Sequence, residues 1–183
     1  MPFKRVLINS FHYWVLFALF NSIELFFFPS GQPNSQNTTY ILVGLWVIFE
    51  FLNYKCHKIL GDFRRSPKAK NDKEYSNATK ERQIPYGYGF DLVSCANYFW
   101  EGLGWLTYSI LTKNYTAYIF TVFSVVQMAI WALEKHRRYR KEFGDKYPRG
   151  RKAMFPFILW YHSDYSLYFH IIKNVDSLAS CNF

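Results

Sequence analysis

Four long apolar stretches alternate with short polar ones along the chain: residues 11–28 (FHYWVLFALFNSIELFFF), 40–60 (YILVGLWVIFEFLNYKCHKIL), 88–112 and 115–133 (YTAYIFTVFSVVQMAIWAL). A bilayer core of about 30 Å takes about 20 mostly apolar residues of helix, and each stretch approaches that length. The pattern predicts an all-α, polytopic transmembrane helical bundle of about four to five membrane helices. A further apolar run at 153–172 is interrupted by Pro156, His162 and Asp164, and reads as an interfacial or short re-entrant segment. Lys4 and Arg5 precede the first stretch as they would in a secretory signal, but Glu24 and the lack of a small-residue cleavage site before Pro29 argue against removal.

Composition agrees: half of the 183 residues are hydrophobic and 22% are aromatic, high for a water-soluble domain. The net charge is +9, and 16 of the 22 Lys and Arg residues fall in two blocks, 64–82 and 135–152. Under the positive-inside rule both face the cytosol, and the uncharged segment 29–39 and the turn at 113–114 face the other side. Two crossings separate the blocks, so the assignment is self-consistent. A nucleic-acid groove would need basic and aromatic residues interleaved on one soluble surface, so nucleic acid is not an expected partner. Sequons stand at Asn37, Asn77 and Asn114; the topology puts the first and last outside, with Asn114 too near the membrane to be an acceptor. Cys56, Cys95 and Cys181 are too few and too scattered for a disulfide framework or a zinc site.

Polar residues inside the apolar stretches carry the functional signal. Glu50, Asn53 and His57 stand at i, i+3 and i+7, which puts them on one helical face. That row continues through Gly61 to Arg64. The third stretch repeats the device with Asn97 and Glu101 at i, i+4 and Tyr98 one residue round. Ionisable groups in a bilayer cost about 2.5–3.5 kcal/mol each on insertion scales, so they turn to a cavity or to one another. Such residues also serve simply as polar glue between helices. Here both rows run toward the side of His136, Arg137, Arg138 and Tyr139, which predicts a cavity open to the cytosol, lined by amides and carboxylates and rimmed by cations. Such a pocket suits a phosphorylated, hydrogen-bonding ligand such as a nucleotide cofactor or coenzyme A. The chain has no dinucleotide-binding glycine motif, Walker A loop, H-E-x-x-H or G-x-S-x-G, and no spacing recommends a metal site.

The stretches RQIPYGYGFDLVSCANYFWEGLGW and HRRYRKEFGDKYPRGRKAMFPFIL resemble the C-terminal half of the steroid 5α-reductase family, most closely its very-long-chain trans-2,3-enoyl-CoA reductase branch. MPFKRVLINSFHYW and NYKCHKILGDFR resemble the same branch, so the likeness covers residues 1–159 and leaves 160–183 as an extension of unknown role. The resemblance implies a multi-pass reductase of the endoplasmic reticulum membrane, surrounded by lipid, that uses NADPH through a cytosol-facing cavity. Its cofactor-contacting positions fall on Asn53, His57, Arg64, Asn97, Glu101, His136 and Tyr139. An acidic residue stands at the His57 position in the steroid branch. The resemblance makes Tyr98 the catalytic residue, where steroid enzymes tend to have phenylalanine. It implies a very-long-chain trans-2-enoyl-CoA substrate and other fatty-acid elongation enzymes as partners. A phenol is protonated at neutral pH and can serve as an acid, here as enolate charge develops on the substrate.

There are departures. Family members begin further upstream, with helices that bring a catalytic glutamate, and Met1 corresponds to an internal methionine. The expectation is therefore a truncated form, in which neither Glu24 nor Glu50 is assumed to substitute. Ala96 stands where the branch has proline in S-C-P-N-Y, which predicts a straighter third helix. Two other readings stay open: a 5α-reductase acting on a sterol or polyprenol, and a non-catalytic membrane paralogue.

Overall fold

The structure is a computed structural model that describes residues 7, 10–28, 33–65 and 83–156. Lys4, Arg5, most of the first basic block, the Asn77 sequon, Cys181 and the 160–183 extension lie outside the described residues. A π-helical stretch, Phe11–Leu19, runs into α1 (Phe20–Phe27); α2 (Gln36–Arg65), α3 (Ala96–Thr112) and α4 (Tyr115–Phe143) follow, and a single 3-10 turn, Gly144–Lys146, closes the last helix. The described residues contain no β-strand, only one parallel bridge between Val93 and Lys152.

Local chemistry explains the boundaries. Ser35 starts α2, its Oγ accepting the Thr38 amide at 3.3 Å, a common N-capping arrangement. The third apolar stretch becomes helical only at Ala96, eight residues later than its hydropathy begins, because Gly87, Tyr88 and Gly89 all take positive φ. Trp100 Nε1 and Cys56 Sγ both donate to the Tyr88 carbonyl, at 2.8 and 3.4 Å, and hold that turn. Ala96 is the first helical residue. Proline fits that position equally well, so the exchange bears on how the helix starts and not on its straightness. Lys113, left-handed at φ 55°, ends α3, and Asn114 leads directly into α4.

The helix α3 is central, packed between α2 and α4, while the N-terminal stretch and α1 lean on α4. Gly102 lets α3 approach α4, since a Cβ there would lie 3.3 Å from Val125 Cγ2. Small residues at such contacts let helix backbones come close. One core cluster joins Cys95, Met128, Ala132, Ala153 and Met154; a second joins Cys56, Phe90, Val93 and Ala96. Phe17, Trp105 and Phe120 form an aromatic box with centroids 4.5–4.9 Å apart, tying the N-terminal stretch to α3 and α4.

Large apolar side chains remain exposed along α1 (Phe26, Phe27), α2 (Ile41, Val47, Ile48) and α4 (Ile119, Val122, Phe123). So many exposed large apolar side chains are unusual for a soluble monomer. Among the described residues, one helix, Tyr115–Lys146, is both long and apolar enough to cross a bilayer by length and composition. The α2 helix has 30 residues, but Glu50, Lys55, His57 and Lys58 interrupt its second half; α3 has 17.

Candidate active site

The two faces of α3 divide the predicted polar residues. Toward α2, Glu50 Oε1 occupies the space beside Gly104, where a Cβ would meet it at 3.0 Å. Glu50 also lies within electrostatic reach of Glu101. Tyr13 donates to Glu101 Oε1 at 3.5 Å. One turn along α2, Asn53 has a buried Oδ1 with no hydrogen-bond partner in the described residues. Asn97 is 2% exposed. On the neighbouring face, toward α4, Tyr98 packs on the Cys95–Met128–Ala132 cluster, and its phenolic oxygen accepts Lys135 Nζ at 2.9 Å.

A second junction lies just before α3. Ser94 Oγ stands 2.5 Å from His136 Nδ1, 2.6 Å from Tyr147 Oη and 3.0 Å from the Lys152 carbonyl. A hydroxyl has one hydrogen and a carbonyl only accepts. If the Ser94 hydrogen goes to Lys152, the other two neighbours must donate to Ser94 Oγ. That assignment protonates His136 at Nδ1 and leaves the Nε2 lone pair as an acceptor. Backbone pairing sets the distances: the Ser94 amide donates to the Lys152 carbonyl at 2.8 Å and the Lys152 amide to Leu92 at 3.0 Å. Tyr139 stacks on Tyr147, centroids 5.7 Å apart and planes 13° from parallel. Burial pushes the Tyr147 phenol above its ordinary value, against opposing influences from Ser94 and Arg151.

Beside Tyr147 lies Arg151, 3% exposed, with its guanidinium carbon 4.6 Å from the Tyr86 ring centre and 5.5 Å from that of Tyr147. None of its three side-chain nitrogens makes a hydrogen bond of ordinary geometry in the described residues. Tyrosine rings stabilise the cation from their faces but leave the in-plane N–H groups unsatisfied. A buried guanidinium with open donors fits an oxyanion, and the orphaned Asn53 oxygen fits a donor such as an amide or hydroxyl. The residues present thus suit a phosphorylated, hydrogen-bonding cofactor. Among the described residues, no group of three His, Cys, Asp or Glu could hold a metal ion.

Residues 1–159 match the family model described as 3-oxo-5-alpha-steroid 4-dehydrogenase. The chain belongs to that family. It is 40% identical over 159 residues to the very-long-chain enoyl-CoA reductase of Dictyostelium discoideum, covering 87% of this chain and 49% of that protein. It is 39% identical over 75 residues to the trans-2,3-enoyl-CoA reductase-like protein of Mus musculus, covering 41% of this chain and 20% of that one. With the steroid 5-alpha-reductase of Solanum lycopersicum it shares 37% over 76 residues, 42% of this chain and 30% of the relative. The chain spans about half the length of the curated relatives it matches across most of its sequence.

In this 3-oxo-5-alpha-steroid 4-dehydrogenase family member, the fold joins some of the predicted residues and separates others. His136 and Tyr139 meet around Ser94 and Tyr147; Glu101 meets Tyr13 and lies within electrostatic reach of Glu50. His57 is exposed on α2, and the Arg64 side chain lies outside what the structure describes. Glu24 proves structural: its two carboxylate oxygens accept the Tyr115 and Thr116 amides at 2.7 Å, capping α4. Asn114 is buried and bonded to Asn21 at 3.2 Å, which removes it as a glycan acceptor. Residue spacing did not single out Ser94, Lys135, Tyr147 or Arg151. Ser94 and Arg151 were visible only as parts of longer motifs, and Lys135 and Arg151 were hidden within a block read as topology charge.

Proposed function

We propose that the chain supplies the cofactor-binding and proton-donating part of an NADPH-dependent very-long-chain trans-2-enoyl-CoA reductase of fatty-acid elongation. In this reading it is a multi-pass protein of four to five helices in the endoplasmic reticulum membrane. Its basic segments and the mouth of its cavity face the cytosol, and other elongation enzymes are its partners. The observation that carries the reading is the Tyr98 phenol at the start of α3, its oxygen bonded to Lys135. Likeness to the Dictyostelium very-long-chain enoyl-CoA reductase over 87% of the chain supports the substrate class.

Asn53, His57, Arg64, Asn97, Glu101, His136 and Tyr139 would hold NADPH, and Arg151 adds a buried cation for a phosphate oxygen. When bound, NADPH supplies a hydride for the β-carbon of the enoyl thioester. Tyr98 donates its proton, or a hydrogen bond, as negative charge develops on the thioester, and the Ser94 junction keeps His136 in one orientation. Apolar walls from Met128, Ala132 and Met154 exclude water around Tyr98.

The test is reduction of a very-long-chain trans-2-enoyl-CoA by the full-length protein carrying Tyr98→Phe. Activity should fall about a hundredfold or more, the usual scale for losing a general acid, with NADPH affinity kept. Normal turnover in Tyr98→Phe would sink the proposal. The tomato relative favours a second reading, reduction of a sterol-like enone, and product analysis with enoyl-CoA against steroid substrates separates the two.

A further inference from the structure

Lys135 has no place in the cofactor set and sits at the cytosolic end of the last apolar stretch. A lysine there ordinarily extends its ammonium toward water. Instead the Lys135 side chain is half-buried and folded toward α3, with Nζ 2.9 Å from Tyr98 Oη and 4.5 Å from the ring centre. Trp131, one turn earlier on α4, flanks the same ring at a centroid distance of 6.3 Å.

We propose that Lys135 is the positioning residue for Tyr98, fixing the direction of its hydroxyl hydrogen and stabilising the charge left when that hydrogen is given up. The inference rests on the reductase reading and deepens it. An ammonium only donates, so the bond from Lys135 occupies a lone pair of Oη and leaves the phenol hydrogen aimed elsewhere. In the reaction, the O–H bond of Tyr98 breaks as a C–H bond forms at the α-carbon of the substrate. Negative charge then rests on Oη against the Lys135 cation, a favourable pairing where little water intervenes. Solvent returns the proton once the product has left, so atoms and charge balance over the cycle.

Two measurements on the full-length protein decide the matter. The first is a kinetic cycle of Tyr98→Phe, Lys135→Met and the double variant. Lys135→Met should lower kcat about tenfold or more with KM for enoyl-CoA little changed. In the Tyr98→Phe background the same change should have almost no effect, because a residue acting through Tyr98 has nothing left to act on. Lys135→Arg should restore much of the loss. Additive effects would overturn the proposal.

The second needs no turnover: thermal unfolding of the same four proteins in detergent. Tyr98→Phe and Lys135→Met each remove the one bond between the two side chains, so their effects on melting temperature should be less than additive, with Lys135→Arg close to the wild type. Additive shifts overturn the pairing of Lys135 with Tyr98 whatever the substrate. A wild-type protein that reduces no enoyl-CoA removes the reductase reading while the unfolding cycle still decides this one.

Discussion

Ser94 Oγ stands 2.5 Å from His136 Nδ1, joining the segment that leads into α3 to a residue 42 positions later on α4. The same oxygen meets Tyr147 at 2.6 Å, so one small hydroxyl organises three chain segments. Ser94→Ala removes it and leaves the buried Tyr147 hydroxyl and the half-buried His136 imidazole without their partner, a loss of about 1–3 kcal/mol for a fully buried group and less for a half-buried one. The predicted outcome is NADPH binding weakened about tenfold, measured by quenching of protein fluorescence in detergent. Unchanged affinity would show that His136 needs no help from Ser94.

Arg151 gives a second prediction. Arg151→Met keeps much of the aliphatic bulk between Tyr86 and Tyr147 and removes the charge and its unsatisfied donors. Folding stability should change little or rise, because a buried cation without hydrogen bonds is costly. NADPH affinity should drop about tenfold or more, with a smaller drop for NADH if the guanidinium meets the 2′-phosphate. Thermal unfolding followed alongside binding separates the two effects; a large fall in melting temperature with normal affinity would assign Arg151 to folding alone.

Glu24 should behave in the opposite way. Its carboxylate oxygens cap two amides at the start of α4, each at 2.7 Å, and a negative charge there also complements the helix dipole. Glu24→Ala should cost about 1–2 kcal/mol, read as a lower melting temperature, with NADPH affinity kept. Glu24→Gln should cost less, since the amide oxygen can still accept one bond.

The two glycines of α3 should differ in their tolerance of alanine. At Gly102 a new Cβ meets packed carbons, Val125 Cγ2 at 3.3 Å and Met154 Cε at 3.5 Å; at Gly104 it meets only Glu50 Oε1, the far end of a flexible side chain, at 3.0 Å. Overpacking a tight contact costs about 1–3 kcal/mol, whereas replacing a helical glycine gains up to about 1 kcal/mol. Gly102→Ala should therefore be neutral to destabilising, and Gly104→Ala neutral to stabilising. Gly102→Leu should be more damaging than either. Melting curves of the three variants check the order.

Apolar runs and their polar punctuation were enough to predict a helical chain and the stretches that become α1, α2, α3 and α4, because helix formation in such runs is governed locally by hydropathy and length. Spacing alone also placed Asn53 with Glu50, and Asn97 with Glu101, since 3.6 residues per turn leaves little freedom. Hydropathy places the start of α3 too early because the mostly apolar residues from 88 to 95 follow a turn of positive φ at Gly87, Tyr88 and Gly89, and turn geometry is invisible to a hydropathy count. The cofactor and the reaction entered through likeness to known reductases and not through periodicity. What only the tertiary structure decided is which polar groups meet. Lys135 with Tyr98, and Ser94 with His136 and Tyr147, lie 37 to 53 residues apart, so no local pattern encodes them. They come together because α3 packs on α4 and the segment after α4 returns to pair with the residues before α3, so that charges that look like topology signals become neighbours of a half-buried phenol and imidazole.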